Sequence, residues 1–196
     1  MIIGANYSDN GTCEFAVWAP FADTMSLNLY SPDEKTVAMH KEGEYWKISL
    51  DTVSPGTEYR YQINRQVKRA DPASSYQPDG VHGASQVINH SAFAWTDSNW
   101  RAHALSEMIL YEIHVGTFTE EGTFEAIIPR LDSLKQLGIN ALEIMPVAQF
   151  PGERNWGYDG VFPFAVQNSY GGPEGLKKLV NECHRKGIKA LRTHYK

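Results

Sequence analysis

The residues best equipped for chemistry lie in one stretch, 153–160, which reads ERNWGYDG and brings together two carboxylates, Glu153 and Asp159, and two aromatic rings, Trp156 and Tyr158. Upstream, Glu112 and His114 alternate in LYEIHV. Such a set is open to two kinds of work. Paired carboxyls can divide acid and base roles when their surroundings separate their acidities and exclude water, and flat ring faces beside polar groups can hold a ligand. The spacing of Glu112, Glu153 and Asp159 gives no sign of opposed carboxyls, so no residue is assigned a catalytic role. Tyr158, Trp156 and Asp159 are the expected binding residues, with packing inside the loop as the competing reading. For Glu112 and His114, a structural hydrogen bond beside the strand is preferred over a role in chemistry. A lone histidine such as His82 reads as a hydrogen-bonding residue, and without metal-ligand spacing no metal site is expected.

The elements that must position these residues follow two grammars. Up to residue 95, apolar residues alternate in short runs: Cys13/Phe15/Val17, Met25/Leu27/Leu29, Val37/Met39, Trp46/Ile48/Leu50 and Tyr59/Tyr61/Ile63. Period-two runs separated by turn clusters such as Ser31-Pro32-Asp33, Glu42-Gly43-Glu44 and Ser54-Pro55-Gly56 predict strands of a β-sandwich. Trp18, Trp46 and Tyr59 fall on these strands, where core packing is the usual use of an aromatic. Residues 71–100 lose the periodicity and read as an ordered connector, which places the domain limits at 1–95, a connector at 96–107, and a second domain at 108–196.

From residue 108 the pattern changes to strand, helix, strand, helix, the grammar of a parallel sheet with crossover helices. A strand is predicted over 108–115. Phe124, Ile127, Ile128, Leu131 and Leu134 form a helical stripe closed by Gly138; with Pro129 inside it, either Thr123 caps a helix kinked at the proline or the helix begins near the proline. A buried strand over 139–145 leads into a long aromatic loop, 146–172, in which only 162–166 looks strand-like. Loops of that length in compact domains are usually functional or disordered, and aromatic content argues against disorder. Pro173 then opens a helix that closes at Gly187. From Ile188 the chain reads IKALRTHYK, and Lys189, Arg192 and Lys196 lead to the expectation that no properly paired third strand forms.

Composition narrows the partners. Of 196 residues, 42% are hydrophobic, and the net charge is -5 without a basic run. Nucleic acid is disfavoured, and neutral sugars are compatible. No stretch approaches 18 consecutive apolar residues and the start lacks a signal-peptide pattern, so no membrane association and a cytoplasmic location are expected. Cys13 and Cys183, in different predicted domains, read as buried free thiols.

Several of these stretches also carry a family resemblance. PVAQFPGERNWGYDGVFPFAVQNSYGGPEGLKKLV, ILYEIHVGTFTEEGTF, DPASSYQPDGVHGASQV and VWAPFADTMSL resemble segments of the maltooligosyltrehalose trehalohydrolases, within the α-amylase superfamily of glycoside hydrolases. The resemblance implies an immunoglobulin-like β-sandwich followed by the start of an α/β (TIM) barrel. It implies a retaining enzyme, without organic cofactor, that cleaves the α-1,4 bond between a maltooligosyl chain and terminal trehalose; the partner would be that substrate or a related α-glucan. Tyr158 matches the loop tyrosine that stacks on sugar in the family. Retaining glycosidases use two carboxyls about 5–5.5 Å apart, which in this family come from the fourth and fifth barrel strands, and a complete barrel takes about 250 residues. Those strands are missing here, so the chain alone is expected to be inactive. Its closing IKALRTHYK also departs from the family's apolar strand with a DVVxNH-like end. A fragment of a glycogen branching enzyme, which shares the layout, and a non-catalytic α-glucan-binding module are the alternatives.

Overall fold

The computed structural model describes residues 2–30, 33–51 and 53–192, with the Arg192 side chain left undescribed. The turn expected at Ser31-Pro32 and the segment after Arg192 lie outside the described residues. The chain divides into two compact units, Met1–Ala92 with Phe162–Ala165, and Phe93–Val161 with Val166–Lys196.

The first unit is a two-sheet sandwich. Its strands are β1 (Gly4–Tyr7), β2 (Cys13–Trp18), β3 (Met25–Leu29), β4 (Lys35–Ala38), β5 (His40–Glu42), β6 (Tyr45–Leu50), β7 (Glu58–Ile63), β8 (Val67–Arg69) and β9 (Ser85–Gln86). One antiparallel sheet runs β1-β2-β6-β5 and the other β4-β3-β7-β8, with β9 added on β7. The predicted alternation fills the space between them. Cys13, Phe15, Val17 and Trp46 from one sheet meet Met25, Leu27, Leu29, Tyr59 and Tyr61 from the other, and the Phe15 and Tyr59 rings touch edge to face at 5.0 Å.

Two expectations need correction here. The Val37/Met39 run is not one strand: β4 belongs to one sheet and β5 to the other. The chain crosses at Met39, whose side chain is buried in the core while its N–H donates to the Met25 carbonyl at 3.0 Å. Trp18, in turn, is no core residue. Trp46 and Tyr59 are buried as predicted, but Trp18 is 55% exposed on the outer face and donates its indole N–H to Glu44. The sandwich core also holds a polar cluster at the start of the connector. The buried Asp71 carboxylate accepts from the Tyr59 hydroxyl at 2.7 Å, the Tyr61 hydroxyl at 3.3 Å and the Ala73 N–H at 2.8 Å. Burial nevertheless raises its pKa above the ordinary carboxylate value, the three donors only partly offsetting the lost hydration.

The second unit contains β10 (Leu110–Ile113), α1 (Val115–Phe118), α2 (Phe124–Ile127), α3 (Leu131–Gln136), β11 (Ala141–Ile144), β12 (Ala148–Gln149), the last residue of β13 (Phe162–Val166), α4 (Gly172–Arg185) and β14 (Lys189–Arg192). The first strand is shorter than predicted. It ends at Ile113, because the chain turns into α1 with His114 at the helix N-cap. At Pro129 the kinked alternative holds: the Thr123 hydroxyl accepts from the Ala126 N–H, and a 3-10 turn over Ile128–Arg130 joins α2 to α3. Phe124, Ile127, Leu131, Leu142, Ile144, Leu179, Cys183 and Ile188 make one apolar core.

The third strand does form, against expectation. β10, β11 and β14 are parallel, with Tyr111 beside Leu142 and Leu142 beside Ala190. The reason lies in the alternation: Ala190 faces the helices and packs on the core, whereas Lys189 and Leu191 share the opposite face with Glu112 and Glu143. Charge at Lys189 therefore costs no apolar burial. Residues 96–100 are laid along α4. Thr96 bonds Asn181, Asp97 sits 2.6 Å from His184 Nδ1, and Trp100 stacks on the His184 ring at 4.7 Å. Among the described residues no helix is long and apolar enough to cross a membrane.

Candidate functional site

The C-terminal ends of β10 and β11 lie side by side, since Ile113 pairs with Ile144. From these ends come the parts of the site. His114 leaves β10, and the long loop leaves β11 through Pro146. An open cavity of about 640 Å³ between them is lined by His114, Gly116, Thr117, Met145, Glu153, Arg154, Asn155 and Trp156.

Two fixtures shape the loop. The first is Gly157, at φ +95°, where an added Cβ would sit 2.2 Å from the Pro146 carbonyl oxygen; only glycine combines that conformation with so close an approach. The second is Asn155. Its side-chain oxygen accepts from the Gly157 N–H at 2.7 Å, its amide nitrogen donates to Asp159 at 3.1 Å, and its backbone carbonyl lies 2.6 Å from His114 Nε2. Beneath them Tyr170 is buried, its ring against Phe124, Phe150 and His114. Burial pushes the pKa of the Tyr170 phenol above its ordinary value. Its ring also fixes Gly116, where a Cβ would stand 3.1 Å from it.

Of the residues expected to bind, Trp156 lines the cavity and is 76% exposed, held out by the turn rather than folded into it. Tyr158 is 48% exposed and lies outside the cavity lining, two residues along the same turn. Asp159 serves as an acceptor for Asn155. Glu153 is the single carboxyl of the lining and Glu112 is not part of it, so the cavity contains no opposed carboxyl pair. No group of three or more His, Cys, Asp or Glu among the described residues is placed to hold a metal. Sequence reasoning passed over Asn155, although Asn-x-Gly carries the signal: an asparagine side chain commonly bonds the backbone two residues on.

The α-amylase catalytic-domain family model matches residues 79–192, including the whole of this site. The chain belongs to the α-amylase family. The model of carbohydrate-binding module 48, the isoamylase N-terminal domain, matches residues 2–76 of this α-amylase-family chain. It is 44% identical over 191 residues to a malto-oligosyltrehalose trehalohydrolase of Saccharolobus solfataricus, covering 97% of the chain and 34% of that protein. Against the enzyme of the same name from Deinococcus radiodurans, identity is 38% over 89% of the chain and 28% of the relative. A crystal structure of a proposed α-amylase from Salmonella typhimurium superposes with a TM-score of 0.92 at 36% identity, covering 97% of this chain and 32% of that one. The chain thus spans about a third of the length of the curated relatives it matches.

Proposed function

We propose that the chain supplies the N-terminal sandwich and the first strands of an incomplete TIM barrel in a retaining glycoside hydrolase of the maltooligosyltrehalose trehalohydrolase kind, acting on the α-1,4 bond between a maltooligosyl chain and terminal trehalose. Its own contribution is to hold sugar. The observation that carries this reading is the turn 155–159, pinned at the carboxyl ends of β10 and β11 with Trp156 and Tyr158 exposed on it. Active sites of barrels gather at that end of the strands, and an exposed ring whose backbone is fixed presents a flat apolar face at little entropic cost. The identity to trehalohydrolases over nearly the whole chain supports the same substrate class. The chemical step needs a carboxyl pair that the cavity does not contain.

A maltotetraose titration of the purified chain, followed by NMR, tests this. Signals of Trp156 and Tyr158 are expected to move while those of Trp95 stay, and incubation with maltooligosyltrehalose should release no trehalose. Absence of any shift at millimolar sugar would sink the binding role; trehalose release abolished by substituting Glu153 would sink the claim that catalysis lies elsewhere.

A further inference from the structure

We infer that His114 is a positioning residue, which sets where the sugar-facing turn stands without touching sugar itself; the inference rests on the binding role proposed for that turn. The two ring nitrogens have different partners. Nε2 faces the Asn155 carbonyl at 2.6 Å, and Nδ1 faces the Thr117 hydroxyl at 3.2 Å. A carbonyl can only accept, so Nε2 carries the proton, and Nδ1 is left to accept from Thr117. The tautomer is thereby dictated by its neighbours, with the Tyr170 hydroxyl a further 3.4 Å contact on the Nε2 side.

The bond to Asn155 joins the end of one strand to the loop of the next, 41 residues later. Its leverage comes from what Asn155 does in turn. The same residue receives the Gly157 N–H and donates to Asp159, so a shift of its carbonyl moves both attachments of the turn. Trp156 stands between Asn155 and Gly157, and Gly157 is wedged at Pro146. His114 and Pro146 are accordingly the two pins of this turn, one at the end of β10 and one after β11. Trp156 swings if either is lost.

The test compares His114→Gln with His114→Asn in the whole chain. A glutamine amide reaches about as far as Nε2 and can donate to the Asn155 carbonyl, whereas an asparagine amide reaches only to the Nδ1 position. Amide exchange at Gly157 is expected to quicken about tenfold in His114→Asn, as for the loss of one buried hydrogen bond, and to stay within about threefold of the parent in His114→Gln. Exchange at Leu179 in α4 should not change in either. Equal exchange at Gly157 in the parent and both variants overturns the positioning role, as does equal acceleration in both variants accompanied by Leu179, which would make His114 a packing residue. Nitrogen-15 shifts of the ring in the parent chain give a reading that needs no variant: a proton on Nδ1 at neutral pH overturns the assignment. The maltotetraose titration separates the two claims. A chain that binds no sugar but shows the Asn-specific exchange keeps His114 as the pin and loses the binding role; a chain that binds sugar with Gly157 indifferent to both variants does the reverse.

Discussion

Gly157→Ala and Gly138→Ala form a matched pair, because both glycines have φ of +95° and differ only in what surrounds them. At Gly138, just beyond α3, an added Cβ meets nothing within 4 Å. The substitution there adds only the strain of a left-handed conformation, about 1–2 kcal/mol. At Gly157 the same Cβ would stand 2.2 Å from the Pro146 carbonyl oxygen. Backbone cannot yield by that much, so the turn has to leave, giving up the bonds from Gly157 to Asn155, from His114 to Asn155 and from Asn155 to Asp159. At about 1 kcal/mol each, the loss is about 3 kcal/mol. For a unit of this size that is a fall in Tm of about 12–24 °C, against about 4–16 °C for Gly138→Ala. Thermal unfolding followed by circular dichroism measures both. Departure of the turn should also flatten the maltotetraose response of Gly157→Ala and leave that of Gly138→Ala intact. Equal losses of Tm with equal sugar responses would refute the reasoning, since the wedge at Pro146 would then carry nothing.

Tyr158→Ala should leave stability within about 0.5 kcal/mol, as expected for a half-exposed side chain, and abolish sugar binding, while Tyr170→Ala should lose about 3–5 kcal/mol for its buried ring; urea melts beside sugar titrations would expose a reversed ranking. Cys13 and Cys183 are fully buried, and burial pushes both thiols up to about 12, so a thiol reagent at mildly alkaline pH should modify neither before denaturant is added. Rapid labelling of the native chain would contradict that. Asp71 binds its proton more tightly folded than unfolded, so stability should be greatest below its unfolded value near 3.8 and decline as pH rises through the raised folded value. Asp71→Asn should remove that decline from a plot of Tm against pH; a parallel curve would place the effect on another group.

What could be read from sequence was whatever a single period encodes. Cys13/Phe15/Val17 and Met25/Leu27/Leu29 announce one-faced strands and form the sandwich core, and α4 shows itself by Pro173, its apolar stripe and Gly187. Features that depend on a second element were hidden. Nothing local to Val37 and Met39 says that the chain changes sheets between them, and Trp18 continues the strand of Val17 yet points outward because alternation puts it on the other side. The alternation in LYEIHV places His114 on the strand as a structural hydrogen-bonding residue. The bond exists, but its partner is a loop carbonyl at the edge of the cavity, a meeting of segments 41 residues apart that no spacing rule contains.

The third strand shows how far such a misreading can reach. Judged by hydropathy, Lys189 excludes a barrel strand; judged by register, it need not. Parallel pairing puts Ile113, Leu142, Ile144 and Ala190 on the face turned to the helices, together with the more exposed Tyr111, and Leu110, Glu112, Ala141, Glu143, Lys189 and Leu191 on the other. The apolar core lies on the first face, where β14 contributes Ala190, two residues after the fully buried Ile188, while on the second face Ala141 is the buried residue. The mixed second face tolerates a lysine beside carboxylates, where opposite charges on neighbouring strands are favourable. With β14 on one side of it and β10 on the other, β11 becomes a central strand rather than an edge, and the two anchors of the turn 155–159 inherit its rigidity: His114 follows β10, the pairing partner of β11, and Pro146 follows β11 itself. The placement of Trp156 thus depends on a strand that carries none of the site's residues, which is why a change at Ala190 that unseats β14 should loosen the turn as effectively as a change within it.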